Sequence, residues 1–334
     1  MLARDGILFP MSGGPMKDKP AIALLLSTYN GEKYLKELLD SLFRQEYADF
    51  DLLIRDDGSS DATRNIIFEQ QKQHDNIVYL AGSENLGIKR SFNFLLDYAV
   101  KQQYRYYMFV DQDDIWLADK IKIAYEIIRT KERIYPDLPV LLHTDLKVVD
   151  SDLNSLCASF WKYEKINPAA NSFNRILLSN IITGCTVIFN HQLAELVLPI
   201  PEEAVLHDWW LGLTASCFGR IFSFPGQTVL YRQHKNNAVG AEKINLSAYI
   251  AKAVQQNPLP KLFRQAEKFY QVYYDRLDGE KKAVLTGFLE LRCWKWRNIG
   301  IIFRYKFLKH TLLKNLGFIA LLILQKRGIF KNEI

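Results

Sequence analysis

The sequence predicts an α/β fold, a mostly parallel sheet flanked by helices with a helical carboxyl-terminal extension, on three observations. Short continuous apolar runs, the pattern of strands buried on both faces, recur at Ala21–Leu26, Asp51–Ile54, Ile77–Leu80 and Tyr106–Val110. Each run is followed by polar residues and then by apolar residues at helical spacing, so strand, loop and helix alternate four times. The polar clusters fall at the carboxyl ends of the strands, where open α/β sheets hold their ligands.

The first strand closes into Ser27-Thr28-Tyr29-Asn30-Gly31, with Asn30 placed to cap a helix in which Tyr34, Leu35, Leu38, Leu39, Leu42 and Phe43 recur on one face. The second closes into Arg55-Asp56-Asp57-Gly58-Ser59-Ser60-Asp61 before a helix over about 62–73. Asn85-Leu86-Gly87 precedes a helix through Ser91, Phe92, Leu95, Leu96 and Tyr98. A helix over about 117–129 follows the fourth strand. The second half is less regular, with strands expected at 139–149, 181–189, 220–224 and 228–231 and helices at 193–198 and from His207 towards Cys217. Gly184 marks a close backbone approach or a bulge within the strand at 181–189.

The chain has 334 residues and is 49% hydrophobic, enough for a sizeable core and for two domains. Three segments are expected: a flexible lead-in at 1–20 without the pattern of a signal peptide, an α/β domain at 21–240, and a basic, aromatic helical region at 241–334. The four cysteines are widely spaced, which points to reduced thiols and a cytoplasmic protein. Charge is segregated: residues 241–334 carry 18 Lys and Arg against 7 Asp and Glu, so this segment is net +11 while residues 1–240 are net −5. Between Leu291 and Lys331 there are ten basic residues and no acid, interleaved with Trp294, Trp296, Phe303, Tyr305 and Phe307. That composition suits contact with an anionic membrane surface on the inner face of the cell membrane, with 317–324 as the apolar contact; a helical cap packed on the α/β domain is the alternative, and nucleic acid is not the expected partner.

The most informative stretch is Asp111-Gln112-Asp113-Asp114, at the end of the fourth strand. In extended backbone Asp111 and Asp113 share a face and repel unless a cation lies between them. Oxygen-only ligands suit Mg²⁺ or Mn²⁺ with substrate phosphates completing the shell, whereas an acidic turn that caps the next helix is the competing reading. Asp114 points elsewhere, and helix capping is its better explanation.

Ser27-Thr28-Tyr29-Asn30, Asp56-Asp57-Gly58-Ser59, Asn85-Leu86-Gly87 and Asp111-Gln112-Asp113-Asp114, in that order and each after a strand, resemble family 2 glycosyltransferases of the GT-A fold. Asp113-Asp114-Ile115-Trp116, Thr183-Gly184-Cys185, His207-Asp208-Trp209-Trp210 and Tyr231-Arg232-Gln233-His234 resemble its rhamnosyltransferase-like branch. The likeness covers about residues 21–240. It implies an inverting, metal-dependent transfer from a nucleotide-diphosphate sugar to a hydroxyl of a glycan or lipid-linked glycan in cell-surface polysaccharide synthesis. The favoured donor is dTDP-rhamnose, with UDP-sugars the runner-up. Thr28, Tyr29, Asp57, Asp111, Arg232 and His234 are then expected at the donor, with Asp56 a weaker candidate. Asp113 and His234 are expected at the metal, Gly184 and Trp209 at the acceptor, and Asp208 as the base. His207 stands where many members have an acid. Asp208 as a helix cap is the plainer alternative, as is a surface turn for the loop through Lys235, Asn236, Asn237 and Gly240. A catalytically inactive nucleotide-sugar or membrane-binding module is the competing function. A dehydrogenase is disfavoured because the first loop lacks Gly-x-Gly-x-x-Gly.

Overall fold

The computed structural model describes residues 20–82, 84–233 and 257–326. The expectations for the lead-in, for His234 and the loop through Gly240, for the start of the helical region at 241–334 and for the last basic residues fall outside the described residues.

Four strands, β1 (Ile22–Thr28), β2 (Phe50–Asp56), β3 (Ile77–Tyr79) and β4 (Tyr106–Val110), pair in parallel in the order β3-β2-β1-β4. Helices α1 (Leu35–Phe43), α2 (Thr63–Gln71) and α3 (Gly87–Lys101) connect them. Beyond β4 the sheet is mixed. A two-residue strand β5 (Ile115–Trp116) and helix α4 (Lys120–Ile134) lead to β6 (Val140–Val149) and β7 (Ser155–Cys157). After short helices α5 (Phe160–Tyr163) and α6 (Phe173–Ile176), strand β8 (Val187–Asn190) runs antiparallel to both β4 and β6. Helices α7 (His191–Val197) and α8 (His207–Phe218) precede β9 (Arg220–Arg232), which is parallel to β6 and antiparallel to β5. The parallel expectation therefore holds where strand, polar loop and helix alternate. It stops where that rhythm stops, because only a helical crossover obliges successive strands to run the same way.

Two of the expected strands differ in form. Residues 184–186 form a 3₁₀ turn instead of strand, and 220–224 and 228–231 are one continuous strand whose register against β6 shifts at Thr144, Asp145 and Lys147. Asn30 does not cap α1. Its φ is +47°, and its Oδ1 accepts the Ser60 N–H at 2.9 Å, so it ties the first loop to the second.

Alternate residues of β1 enter opposite cores, as period-2 geometry requires. Ile22, Leu24 and Leu26 pack with α1 and α4 residues such as Leu38, Leu39 and Ile121. Ala23 and Leu25 face the layer of α3, α8 and the carboxyl-terminal helices. These are α9 (Leu259–Tyr273), α10 (Gly279–Glu290), α11 (Asn298–Arg304) and α12 (Leu312–Lys326). Polar pins reinforce the docking: the Tyr273 hydroxyl donates to the Leu196 carbonyl at 2.8 Å, and Gln265 Oε1 accepts the Val205 N–H at 2.8 Å. The 317–324 stretch expected to touch lipid instead supplies Phe318, Leu321 and Leu322, all buried in the same core. Its apolar periodicity is satisfied by protein, the helical-cap alternative. No helix among the described residues is long and apolar enough to cross a membrane.

Candidate active site

The carboxyl ends of β1 and β4 open on a cleft of about 1010 Å³ lined by Tyr29, Lys33, Tyr34, Gln112, Asp113 and Asp150, among others. Tyr29 is half exposed at its rim. Gln112 sets the floor: its Oε1 accepts the Tyr29 N–H at 2.9 Å and its Nε2 donates to the Tyr29 carbonyl at 3.1 Å. This two-way amide bridge joins the first loop to the acidic turn. A Cβ at Gly31 would stand 2.6 Å from Gln112 Oε1, so glycine is needed for that approach.

The acids expected at the nucleoside are placed differently. Asp57 is buried, and its two oxygens accept the N–H groups of Leu86 and Gly87 at 2.8 Å each, along with the Arg55 guanidinium. It holds the start of α3, where a carboxylate is favoured by the helix dipole. Asp56 accepts from Ser59 and, at 2.7 Å, from Arg64 Nε. Thr28 is buried and donates to Asp56 at 3.4 Å. Protein donors, Thr28 among them, therefore engage Asp56 and Asp57, and Tyr29 and Gln112 form the open surface.

The strand ends at Val110, so residues 111–114 turn, and the alternation expected for extended backbone does not apply. The ligand atoms of Asp111, Asp114 and Cys185 all lie within 4.8 Å of one another, while Asp113 lines the cleft. Asp114 is not a helix cap: it is fully buried, and its Oδ1 accepts the Arg232 N–H at 3.2 Å. Burial, then the charges of Asp113 and Asp111, hold it well above the usual carboxylate range. Burial raises Asp111 to about 7, helped by Asp113 and Asp208. Lys120 is buried nearby over the Trp116 ring, 4.4 Å from its centroid. Burial draws the ammonium down to about 8 against the opposing pull of Cys185 and Asp114.

This chemistry bears on the metal. A hard cation takes oxygen rather than a buried thiol, and a lysine already supplies positive charge beside Asp114. Asp113 and Asp111 remain as the oxygen donors that suit Mg²⁺ or Mn²⁺.

Arg232, expected at the diphosphate, is buried, and its donors meet protein. Nε donates to the Asp113 carbonyl at 2.9 Å, Nη1 to the Ser151 carbonyl at 2.7 Å and Nη2 to Glu37 at 2.6 Å, with the guanidinium 4.3 Å over the Tyr34 ring. A strand end reads as a ligand position from sequence, yet here the fork fastens the acidic turn to α1 and the end of β6.

Asp208 lies in the first turn of α8, 7% exposed, with Oδ1 lacking a hydrogen-bond partner among the described residues. Burial raises it to about 6, opposed by hydrogen bonds from the Trp209 N–H, the Asn180 side chain and the Gly184 N–H. Gly184 packs tightly against the start of α8: a Cβ there would stand 3.2 Å from His207 Nε2, closer than usual, and 3.7 Å from Asp208 Cβ, an ordinary contact. His207 stacks on Phe92 at 4.2 Å and meets Phe109 edge-on at 4.8 Å. Burial lowers it to about 3, which keeps it a neutral core ring. Trp209 spends its indole N–H on the Ile176 carbonyl at 2.7 Å, so its polar edge serves packing rather than an open sugar site. Cys185, Lys120, Gln112 and Asn180 are the neighbours that sequence reasoning did not assign. Only Gln112, inside the acidic motif, and Cys185, inside Thr183-Gly184-Cys185, had any signal.

A parallel four-strand unit with acidic loops at its carboxyl edge, continued by a mixed sheet, defines the GT-A class of nucleotide-sugar transferases. The Glycosyl transferase family 2 model matches residues 24–189. The dTDP-rhamnosyl transferase RfbG of Shigella flexneri is 30% identical over 222 residues, 65% of this chain and 74% of that protein. The UDP-Glc:alpha-D-GlcNAc-diphosphoundecaprenol beta-1,3-glucosyltransferase WfgD of Escherichia coli is 27% identical over 53% of this chain, which spans 62% of it. Among solved structures, S. aureus TarS 1-349 in complex with UDP-GlcNAc matches with a TM-score of 0.56 at 17% identity, covering 93% of this chain and 91% of that one. The mannosyltransferase PcManGT from Pyrobaculum calidifontis, in complex with GDP-Man and Mn²⁺, matches at 0.53 and 13% identity over 95% and 89%. The chain belongs to glycosyltransferase family 2.

Proposed function

We propose that this transferase moves a sugar, rhamnose in the first instance, from a nucleotide diphosphate to a hydroxyl of a glycan or lipid-linked glycan, with inversion, during cell-surface polysaccharide synthesis. The observation that carries the reading is Asp208: a carboxylate at a helix start, near Asp111, with one oxygen unpartnered among the described residues and its pKa drawn up to about 6. A base in that state is ionised at neutral pH and still basic enough to take a proton from an acceptor hydroxyl as its oxygen attacks the anomeric carbon. The hydroxyl proton passes to Asp208, the new glycosidic bond forms and the bond to the diphosphate breaks; one displacement inverts the centre.

Tyr29 and Gln112 line the donor side of the cleft, with Thr28 and Asp57 shaping it from beneath. Asp113 and Asp111 would hold Mg²⁺ or Mn²⁺, which when bound supplies positive charge for the leaving diphosphate. Arg232 keeps the Asp113 turn in place. Gly184 admits Asp208 to the site, with Trp209 packed behind it. The rhamnose donor is supported by the name of the RfbG relative, and the UDP-sugar alternative by WfgD and TarS. Residues 21–240 form the catalytic part and the basic carboxyl-terminal region brings it to the inner face of the membrane, where a lipid-linked acceptor lies.

A donor screen tests the reading. Thermal stabilisation by dTDP and dTDP-rhamnose that requires Mg²⁺ or Mn²⁺ is expected, with UDP the weaker ligand. No shift with dTDP, UDP, GDP or their sugars, with or without metal, would remove its foundation.

A further inference from the structure

The segment from Arg292 to Lys306 has two faces of opposite character. Trp294, Asn298 and Ile302 point inward and are buried, and Asn298 Nδ2 donates to the Glu290 carbonyl at 3.1 Å, which fixes the orientation of α11. The outward face carries Trp296, Ile299 and Phe303, exposed by 75%, 37% and 65%. Ile299 and Phe303 are four residues apart on α11 and so share one of its faces, and Trp296 lies in the turn that leads into it. The exposed cations Arg292, Lys295, Arg297, Arg304 and Lys306 surround it, and the segment contains no acid. Two of these cations meet surface acids at the limit of ion-pair range, Arg292 with Glu267 at 3.5 Å and Arg297 with Glu290 at 3.9 Å. Leaving a tryptophan and a phenylalanine in water beside that charge is costly unless something covers them.

We infer that this outward face of α11 and the preceding turn is the surface by which the protein lies on a bilayer containing anionic lipid, with Trp296, Ile299 and Phe303 entering the interface and the flanking cations meeting lipid phosphates. Charge complementarity selects the occupant. Residues 1–240 are net −5 and residues 241–334 net +11, so an anionic surface draws this end of the molecule towards it and repels the other. The aliphatic member at the centre of the stripe favours lipid over nucleic acid, where flat rings stack between bases. The inference deepens the membrane side of the proposed function and moves the contact from 317–324, which is core, to 296–303.

Vesicle flotation of the full chain tests it and needs no turnover, so a failed donor or acceptor assignment leaves the result readable. Vesicles of phosphatidylcholine mixed with phosphatidylglycerol should carry the protein and vesicles of phosphatidylcholine alone should not. The Trp296→Ser/Phe303→Ser double variant should bind at least about tenfold more weakly at every salt concentration. Arg297→Gln/Arg304→Gln should lose a similar factor at low salt and converge with the parent at high salt. Circular dichroism and thermal melts without ligand that match the parent establish that the variants are folded. Equal partition on both vesicle types, no partition, indifference to both double variants, or displacement from vesicles by a short RNA would each overturn the inference.

Discussion

Arg232 Nε donates to the backbone carbonyl of Asp113 at 2.9 Å, so the residue proposed to ligate the cation is tied through its backbone to the last residue of β9. The same guanidinium reaches Ser151 and Glu37, and the backbone N–H of Arg232 reaches Asp114. Three segments distant in sequence are thereby fixed at one point.

Arg232 should consequently act on metal and donor affinity through the turn. Arg232→Gln is expected to weaken Mn²⁺-dependent dTDP binding by calorimetry about tenfold and to cost about 2–4 kcal/mol of stability, as for a buried charge network that loses its centre. Arg232→Lys, which cannot span three acceptors with a planar fork, should recover part of the stability and little of the affinity. Unchanged affinity in both variants would remove the positioning role.

Activity should depend on pH through Asp208. A base must be ionised, so kcat/KM should fall about tenfold per pH unit below about 6, the value to which burial raises it. A profile flat down to pH 4.5 in a folded enzyme would exclude Asp208 as the base.

The same carboxylate makes a signed prediction for stability without donor or metal. Its folded pKa, about 6, lies above the ordinary 3.8, so the folded chain binds the proton more tightly and is favoured below pH 4. That advantage disappears as pH rises through 6. Asp208→Asn, neutral at all pH, should therefore be more stable than the parent at pH 8 by on the order of 2 kcal/mol, with the difference shrinking towards pH 4. Thermal melts of the two proteins across that range measure it.

Two glycines should separate the halves of the site. Gly184→Ala places a methyl 3.2 Å from His207 Nε2 and shifts Asp208; kcat should drop roughly 10²-fold with donor affinity kept. Gly31→Ala places one 2.6 Å from Gln112 Oε1 and breaks its bridge to Tyr29; donor affinity should fall instead. Steady-state kinetics that show the same KM and kcat pattern for both would mean that the two glycines do not serve separate functions.

The parallel half of the sheet was legible because buried parallel strands are continuous apolar runs, and Leu24, Leu25 and Leu26 serve two cores at once. The antiparallel half was not, since β8 and β5 are too short to show a period and their direction depends on distant partners. That Asp113 follows a strand end and Asp208 stands at a helix start was legible from local motifs. Which acids sit together did not: a turn rather than a strand governs 111–114, and it brings Asp114 to Cys185, more than seventy residues away in sequence. Arg232, Asp57 and Trp209 show the same limit. Residue type suggested a ligand, while burial and the hydrogen-bond partners folded against them give each a structural contact.

The most direct test of the account is Asp208→Asn assayed for rhamnosyl transfer beside donor binding. The variant should bind dTDP-rhamnose with Mn²⁺ as the parent does, within about twofold, and transfer at least 10²–10³-fold more slowly, the usual loss when a positioned base is removed. A folded Asp208→Asn protein that transfers at the parental rate would contradict it.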